Sequence, residues 1–88
     1  MEDKYIKMAK AVGNLYAEKL YSDFTKYPEY LGKNFSWDRF YVLCARTAAA
    51  SLYMYLDDSE WNKLETSELE NICYKTAEKR AKEISKRQ

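Results

Sequence analysis

The residue types that perform most enzyme chemistry are scarce in this 88-residue chain, and their spacing forms no catalytic pattern. Histidine is absent, which excludes Ser-His-Asp and Cys-His nucleophile systems and removes the commonest metal ligand. Acid–base chemistry would depend on tyrosine, lysine, cysteine or carboxylates, which form no recognisable group in the sequence. We therefore expect a protein that is not an enzyme and that needs no cofactor, metal ion or small-molecule substrate.

The two cysteines, Cys44 and Cys73, lie far apart and lack the Cys-x-x-Cys spacing of redox and zinc sites. Cys44 falls in an apolar segment, where burial raises the pKa of a thiol and lowers its reactivity. Two interpretations remain open: a pair of reduced, buried thiols in a cytoplasmic protein, or one disulfide that joins two helices.

Neither a signal segment nor a membrane span is expected. The first residues are charged and lack the apolar stretch of a secretory signal. The weakly charged run 40–56 is too short to cross a bilayer and contains Arg46. The sequence therefore predicts a cytoplasmic protein without membrane contact.

Charge is segregated along the last third of the chain, although the formal net charge of the whole is only +1. Six acidic residues and one lysine lie in the stretch 57–70, which we call the acidic corner. Its spacing matches neither an EF-hand nor a specified pair of catalytic carboxylates. Acidic residues collect at helix starts, where they stabilise exposed amides, but they can also occupy a basic groove on another protein.

A basic stripe follows the acidic corner on the last predicted helix. It consists of Lys75, Lys79, Lys82 and Lys86, with Arg87 nearby. Such a stripe can contact nucleic-acid phosphates, whereas Glu78 and Glu83 interleave it and no aromatic residue lies among the lysines for base stacking. A solvated helix face is therefore the more ordinary interpretation.

Apolar residues recur every three or four positions, which predicts helices over about 3–26, 37–57 and 67–86. Pro28 ends the first helix, Ser36 is expected to cap the second, and the 67–70 segment matches a capping box for the third. Short helical turns are expected at 28–31 and 59–65, with one continuous helix from Ser59 as the alternative. The predicted fold is an all-α three-helix bundle, residues 1–88 forming a single domain, with the apolar second helix at its centre.

One face of the second helix is set apart from its inward stripe, which includes Cys44, Ala48, Leu52 and Tyr55. The outer strip, as we name this face, consists of Arg39, Leu43, Arg46, Ala50, Tyr53 and Asp57, with Val42 and Met54 beside it. Arginine, aromatic and aliphatic groups are enriched at the centres of protein interfaces. Either the 27–36 connection folds over this strip and Arg46 meets an acidic neighbour, or a partner covers it.

The sequence thus predicts a non-catalytic interaction protein: an adaptor, an accessory subunit or an inhibitor of a larger complex. Phage-encoded antagonists such as anti-CRISPR proteins are one group of this size. Its partner is another protein or a second copy of the chain. The expected contacts are the outer strip with Met54, and Asp58 and Glu60 of the acidic corner. The alternative is a nucleic-acid-binding bundle that uses the basic stripe, although the 27–36 connection is too long for a helix-turn-helix.

Overall fold

The computed structural model describes residues 2–31 and 34–87. Within those ranges the chain forms four α-helices: α1 (Asp3–Lys26), α2 (Trp37–Ser51), α3 (Asp58–Lys63) and α4 (Thr66–Ser85). Single 3₁₀ turns cover Pro28–Leu31 and Leu52–Tyr55. The predicted all-α three-helix bundle is confirmed, with α1, α2 and α4 as its long helices.

The end of α1 and the start of α2 have the local causes that the sequence predicts. Tyr27 precedes Pro28 and leaves the helical region (φ −131°, ψ 62°), so α1 ends at Lys26. The Ser36 hydroxyl oxygen accepts a hydrogen bond from the backbone N–H of Arg39 at 3.2 Å. This bond satisfies one of the amides that the first turn of a helix leaves unpaired.

The structure differs from the predicted helix over 37–57 at its C-terminal end. α2 ends at Ser51, whose hydroxyl donates to the Thr47 carbonyl oxygen at 2.7 Å. Side-chain bonds of this kind bend helices. The chain then tightens into the 3₁₀ turn, which buries Leu52 completely, and becomes extended at Leu56.

A short separate helix, α3, lies between this turn and α4. It begins after Asp57, and Leu64 is extended (φ −102°, ψ 158°), so the alternative of one continuous helix from Ser59 is wrong. The N-cap of α4 is Glu65, whose side chain makes no capping bond. The capping box predicted at 67–70 is therefore not formed, because that motif requires Ser67 as the N-cap, whereas the helix begins two residues earlier, after Glu65.

The last helix, not the second, is central to the bundle. α4 packs along both α1 and α2, which corrects the prediction that the second helix is central. Near the start of α1, the Tyr5 hydroxyl donates to Glu60, ahead of α4, at 3.1 Å. Further along, Glu18 of α1 pairs with Arg80 of α4 at 2.6 Å. α1 and α4 therefore run parallel.

α2 runs antiparallel to α4 and closes one end of the bundle with aromatic rings. Tyr41, near its start, shares a hydrogen bond with Ser85 at the end of α4, with 2.9 Å between the hydroxyl oxygens. Phe40 is 2% exposed. The rings packed near it include those of Phe24, Phe35 and Trp37. The connection between α1 and α2 thus turns Phe35 toward the core.

α1 and α4 approach closely because each presents small residues at four-residue spacing. These buried residues are Ala9, Gly13 and Ala17 on α1, and Cys73, Ala77 and Ala81 on α4. A Cβ atom added to Gly13 would lie 2.8 Å from the carbonyl oxygen of Cys73 and 3.0 Å from the backbone nitrogen of Ala77. The absence of a side chain at position 13 therefore allows the two helices to approach this closely.

Candidate docking surface

The outer strip lies on the exposed side of α2 and of the turn that follows it. All six of its residues are exposed, among them Leu43 at 46% and Tyr53 at 57%, and the flanking Met54 is 68% exposed. Large apolar side chains are seldom left in water as a contiguous group unless a partner covers them. Packing within the bundle accounts for the apolar residues on the opposite face of α2, where Phe40 and Cys44 lie in the core. It does not account for those of the outer strip.

The intramolecular alternative for the strip finds little support in the part of the connection that the structure describes. Phe35 stacks on Phe24 with 4.7 Å between ring centroids, on the core side of α2. Within residues 2–31 and 34–87, the Arg46 guanidinium forms no ion pair. The expected acidic neighbour of Arg46 is thus not found among these residues.

A shallow groove of about 430 Å³ runs along the first half of the strip. Its lining residues are Asp38, Arg39, Val42, Leu43 and Arg46. Positions 39 and 46 are two turns apart, about 10 Å along the helix axis, so the arginines stand at either end of an aliphatic floor. The groove can therefore receive an apolar side chain that is flanked by carboxylates.

The second half of the strip is formed by the 3₁₀ turn. The Tyr53 ring meets the Trp61 ring edge-on with 6.5 Å between centroids, which ties the turn to α3. Tyr55 is 44% exposed, although the sequence predicts it on the inward stripe. A 3₁₀ turn advances each residue by about 120° instead of 100°, so Tyr55 rotates away from the core. Hydrogen bonding with the Tyr16 side chain raises the pKa of Tyr55.

The three acidic residues predicted for partner contact differ in how far they are already engaged. The Asp57 carboxylate accepts hydrogen bonds from the Glu60 backbone N–H at 2.8 Å and from the Ser59 hydroxyl at 2.9 Å. These bonds hold the pKa of Asp57 below its usual range. Glu60 itself accepts the hydrogen bond of Tyr5. Asp58 is exposed and makes no side-chain bond to the residues that the structure describes.

The four lysines of the basic stripe are exposed on α4 and at its C-cap, and the arginine beside them is exposed but engaged in an ion pair. Lys82 Nζ lies 4.0 Å from the Glu78 carboxylate. The Arg87 guanidinium turns back to α1 and pairs with Glu18 at 3.2 Å. Lys79 also borders a polar groove of about 340 Å³ between α1 and α4. The remaining residues that line it are Lys10, Asn14, Thr76, Arg80 and Glu83.

A carboxylate clamp that sequence patterns do not show joins α1 to the end of α4. Glu18 accepts from Arg80 at 2.6 Å and from Arg87 at 3.2 Å. Hydrogen bonding from Arg87, followed by that from Arg80, lowers the pKa of Glu18. Glu18 lies far from both arginines in sequence, so no local spacing could have identified the clamp.

We expect the Glu18 clamp to make stability depend on pH in the acid range. Because the folded-state pKa of Glu18 lies below its usual value near 4.5, its contribution is present at neutral pH and is lost as pH falls through the lowered pKa. Urea unfolding should show Glu18→Gln less stable than the native chain at pH 7, with the difference vanishing in strong acid. Since the side chain is 38% exposed, the difference should be small.

The control for this titration is Glu29→Gln, which removes a carboxylate that has no ion pair within the described ranges. Its curve should run parallel to that of the native chain throughout. A difference for Glu18→Gln that does not change with pH would contradict the pKa-based explanation.

Both cysteines are buried free thiols, one in each half of the core. Desolvation raises the pKa of Cys44 to about 12 and that of Cys73 to about 11. Thiols with such values are almost entirely protonated at neutral pH and are poor nucleophiles. The structure thus favours two separate buried thiols over a disulfide that joins two helices.

Among residues 2–31 and 34–87, no three metal-ligating side chains lie close enough together to hold a metal ion. In the same part of the chain no helix has the length and apolar content needed to cross a membrane. The fold and surface define a small all-α bundle with an exposed apolar helix face. No protein-family model, curated protein or solved structure matches the chain. Its function must therefore be inferred from its own residues.

Proposed function

We propose that this protein is a non-catalytic interaction protein that binds a partner through the outer strip, Met54 and the adjoining acidic corner. The observation that carries the proposal is the exposure of Leu43, Tyr53 and Met54 along one side of α2 and of the 3₁₀ turn that follows it, while the opposite side of α2 is packed in the core. In this role the protein acts as an adaptor, an accessory subunit or an inhibitor of a larger assembly. A cytoplasmic location belongs to the proposal, because two free buried thiols suit a reducing compartment.

The composition of the surface supports protein recognition. Tyrosine and arginine dominate the energy of many interfaces because they combine large contact area with directed hydrogen bonds. Arg39 and Arg46 border the groove over Leu43, while Asp58 stands exposed beyond the other end of the strip. A partner would therefore meet two arginines around an aliphatic floor at one end and acidic groups at the other, an asymmetry that selects orientation as well as identity.

A photo-crosslinking amino acid in place of Tyr53 tests the proposal directly. In cells of the native host, we expect it to form a product of defined mass, whether with another protein or with a second copy. The same crosslinker in place of Lys75, an exposed residue on α4, is the matched control and should form no such product. Equal, diffuse labelling from both positions would overturn the proposal.

A pair of substitutions gives a second measurement on the same surface. Arg46→Glu combined with Tyr53→Ala should abolish capture of the crosslinked partner while leaving the circular dichroism spectrum unchanged. The control is Lys75→Glu with Leu15→Ala, which makes the same kinds of change at exposed positions outside the strip. Undiminished capture by the strip variant would mean that the outer strip is not the interface.

Nucleic-acid binding through α4 receives less support from the geometry. Arg87 is engaged by Glu18, Lys82 lies near Glu78, and Arg80 pairs with both Glu18 and Glu83. These carboxylates offset much of the charge that phosphate contacts need. Salt-sensitive binding of random-sequence duplex at low ionic strength is the result that would favour this alternative over protein recognition.

A further inference from the structure

We infer that the polar groove between α1 and α4 binds a phosphate group, either free or carried by a small organic molecule. The groove has a volume of about 340 Å³ and is lined by residues of these two helices, namely Lys10, Asn14, Thr76, Lys79, Arg80 and Glu83. It shares no residue with the outer strip on α2, so this inference does not depend on the proposed function.

The close approach of α1 and α4 brings polar side chains from both helices into one groove. At Gly13 the helices lie so near that an added Cβ would be 3.0 Å from the Cβ of Thr76. Lys10 lies about one turn before this contact on α1, and Lys79 lies about one turn beyond it on α4. The flexible four-carbon stem of a lysine lets each ammonium group reach a ligand at the middle of the groove.

The carboxylates beside the groove are balanced by arginines. Arg80 donates to Glu18 through Nε at 3.1 Å and through Nη2 at 2.6 Å, and Arg87 also pairs with Glu18. The third nitrogen of Arg80, Nη1, lies 3.4 Å from the Glu83 carboxylate. Strong charge-assisted bonds are shorter, at about 2.7–2.9 Å, so Nη1 can exchange this weak contact for a phosphate oxygen.

The two lysines are the charges of the groove that no carboxylate balances. Neither Lys10 nor Lys79 forms an ion pair within residues 2–31 and 34–87. Two ammonium groups beside one groove repel each other, and a bound anion removes that repulsion. A phosphate monoester at neutral pH carries a charge of about −1.5 to −2 and three strong acceptor oxygens. Its charge therefore matches that of the two lysines.

Neutral hydrogen-bond donors complete the groove. The Asn14 amide and the Thr76 hydroxyl make no side-chain hydrogen bond to the residues that the structure describes, and each can donate to a phosphate oxygen. The volume is near the lower end of the roughly 300–1,000 Å³ of small-molecule sites, which leaves room for a phosphate and a small organic group. Such sites are mostly apolar, whereas this lining is polar, so the groove favours a charged ligand.

Titration of the native chain with inorganic phosphate, followed by NMR amide chemical shifts, tests the inference. We expect saturable shifts centred on Asn14 and Thr76, with a dissociation constant in the millimolar range, because water and salt screen charges in an open groove. Sodium chloride at the same ionic strength should not produce these shifts. The same titration with adenosine monophosphate distinguishes the two sources of phosphate. Tighter binding than that of inorganic phosphate indicates an organic phosphate, and equal or weaker binding indicates the free ion.

Substitution of the two lysines provides the second arm of the experiment. Lys10→Gln and Lys79→Gln should each weaken phosphate binding by roughly three- to tenfold, and Lys79→Arg, which keeps the charge, should weaken it less. Lys19→Gln is the matched control, because it changes an exposed lysine of α1 that does not line the groove, and it should bind phosphate as the native chain does.

Three results would overturn the phosphate site. They are an equal loss of binding in Lys19→Gln, shifts spread evenly over the exposed lysines of both helices, and no shift at about 20 mM phosphate, well above a millimolar dissociation constant. The proposed function would stand in each case, since crosslinking at Tyr53 reports on a different surface.

Discussion

Replacing Gly13 by alanine should lower the free energy of unfolding by about 1–3 kcal/mol, although alanine is the better helix former by about 1 kcal/mol. The new Cβ would lie 2.8 Å from the Cys73 carbonyl oxygen and 3.0 Å from the Ala77 nitrogen. Both are backbone atoms of α4, which cannot rotate aside as the end of a side chain can. To relieve these contacts, α1 would have to move away from α4, the helix that packs against both α1 and α2.

Urea unfolding followed by far-UV circular dichroism measures this cost. Asn14→Ala is the matched control, because it changes an exposed residue on the same turn of α1 and should alter stability by less than about 0.5 kcal/mol. A second variant, Gly13→Leu, should lose cooperative unfolding altogether. A Gly13→Ala protein more stable than the native chain would show that α1 and α4 are not held at this distance.

Much of the architecture could be predicted because its causes are local. The three- and four-residue apolar period predicts the three long helices, and Pro28 and Ser36 mark two of their boundaries. The end of α2 could not be predicted in this way. It depends on the bond from Ser51 to the Thr47 carbonyl oxygen and on the burial of Leu52 against other helices.

The candidate surface shows the same division between local and long-range causes. Helical period alone gives the outer strip from Arg39 to Ala50, since those residues lie within one regular helix. The exposure of Tyr55 could not be predicted, because it follows from the 3₁₀ turn. The clamp of Glu18 by Arg87 could not be predicted either, because the packing of α4 along α1 brings together groups that no short pattern connects.

Phe40→Ala should lower the free energy of unfolding by about 3–5 kcal/mol, which is a large part of the stability that a domain of this size has. Phe40 is 2% exposed and lies 5.6 Å from the Trp37 ring and 5.9 Å from the Phe24 ring, measured between centroids. Removing its ring takes away apolar burial and aromatic contacts and leaves a cavity between α1 and α2. Chemical unfolding measures the loss, and near-UV circular dichroism should report loosened packing around Trp37.

Phe40 and the outer strip lie on opposite faces of α2, so their variants should separate folding from docking. Phe40→Leu keeps an apolar group in place and should lose less stability than Phe40→Ala. Tyr53→Ala removes a ring that is 57% exposed and should weaken association with at most a small change in unfolding free energy. If Phe40→Ala costs less than about 1 kcal/mol, the ring is not part of the core. If Tyr53→Ala lowers the free energy of unfolding as much as Phe40→Ala does, the outer strip stabilises the single chain. Its exposed apolar groups would then be explained without a partner.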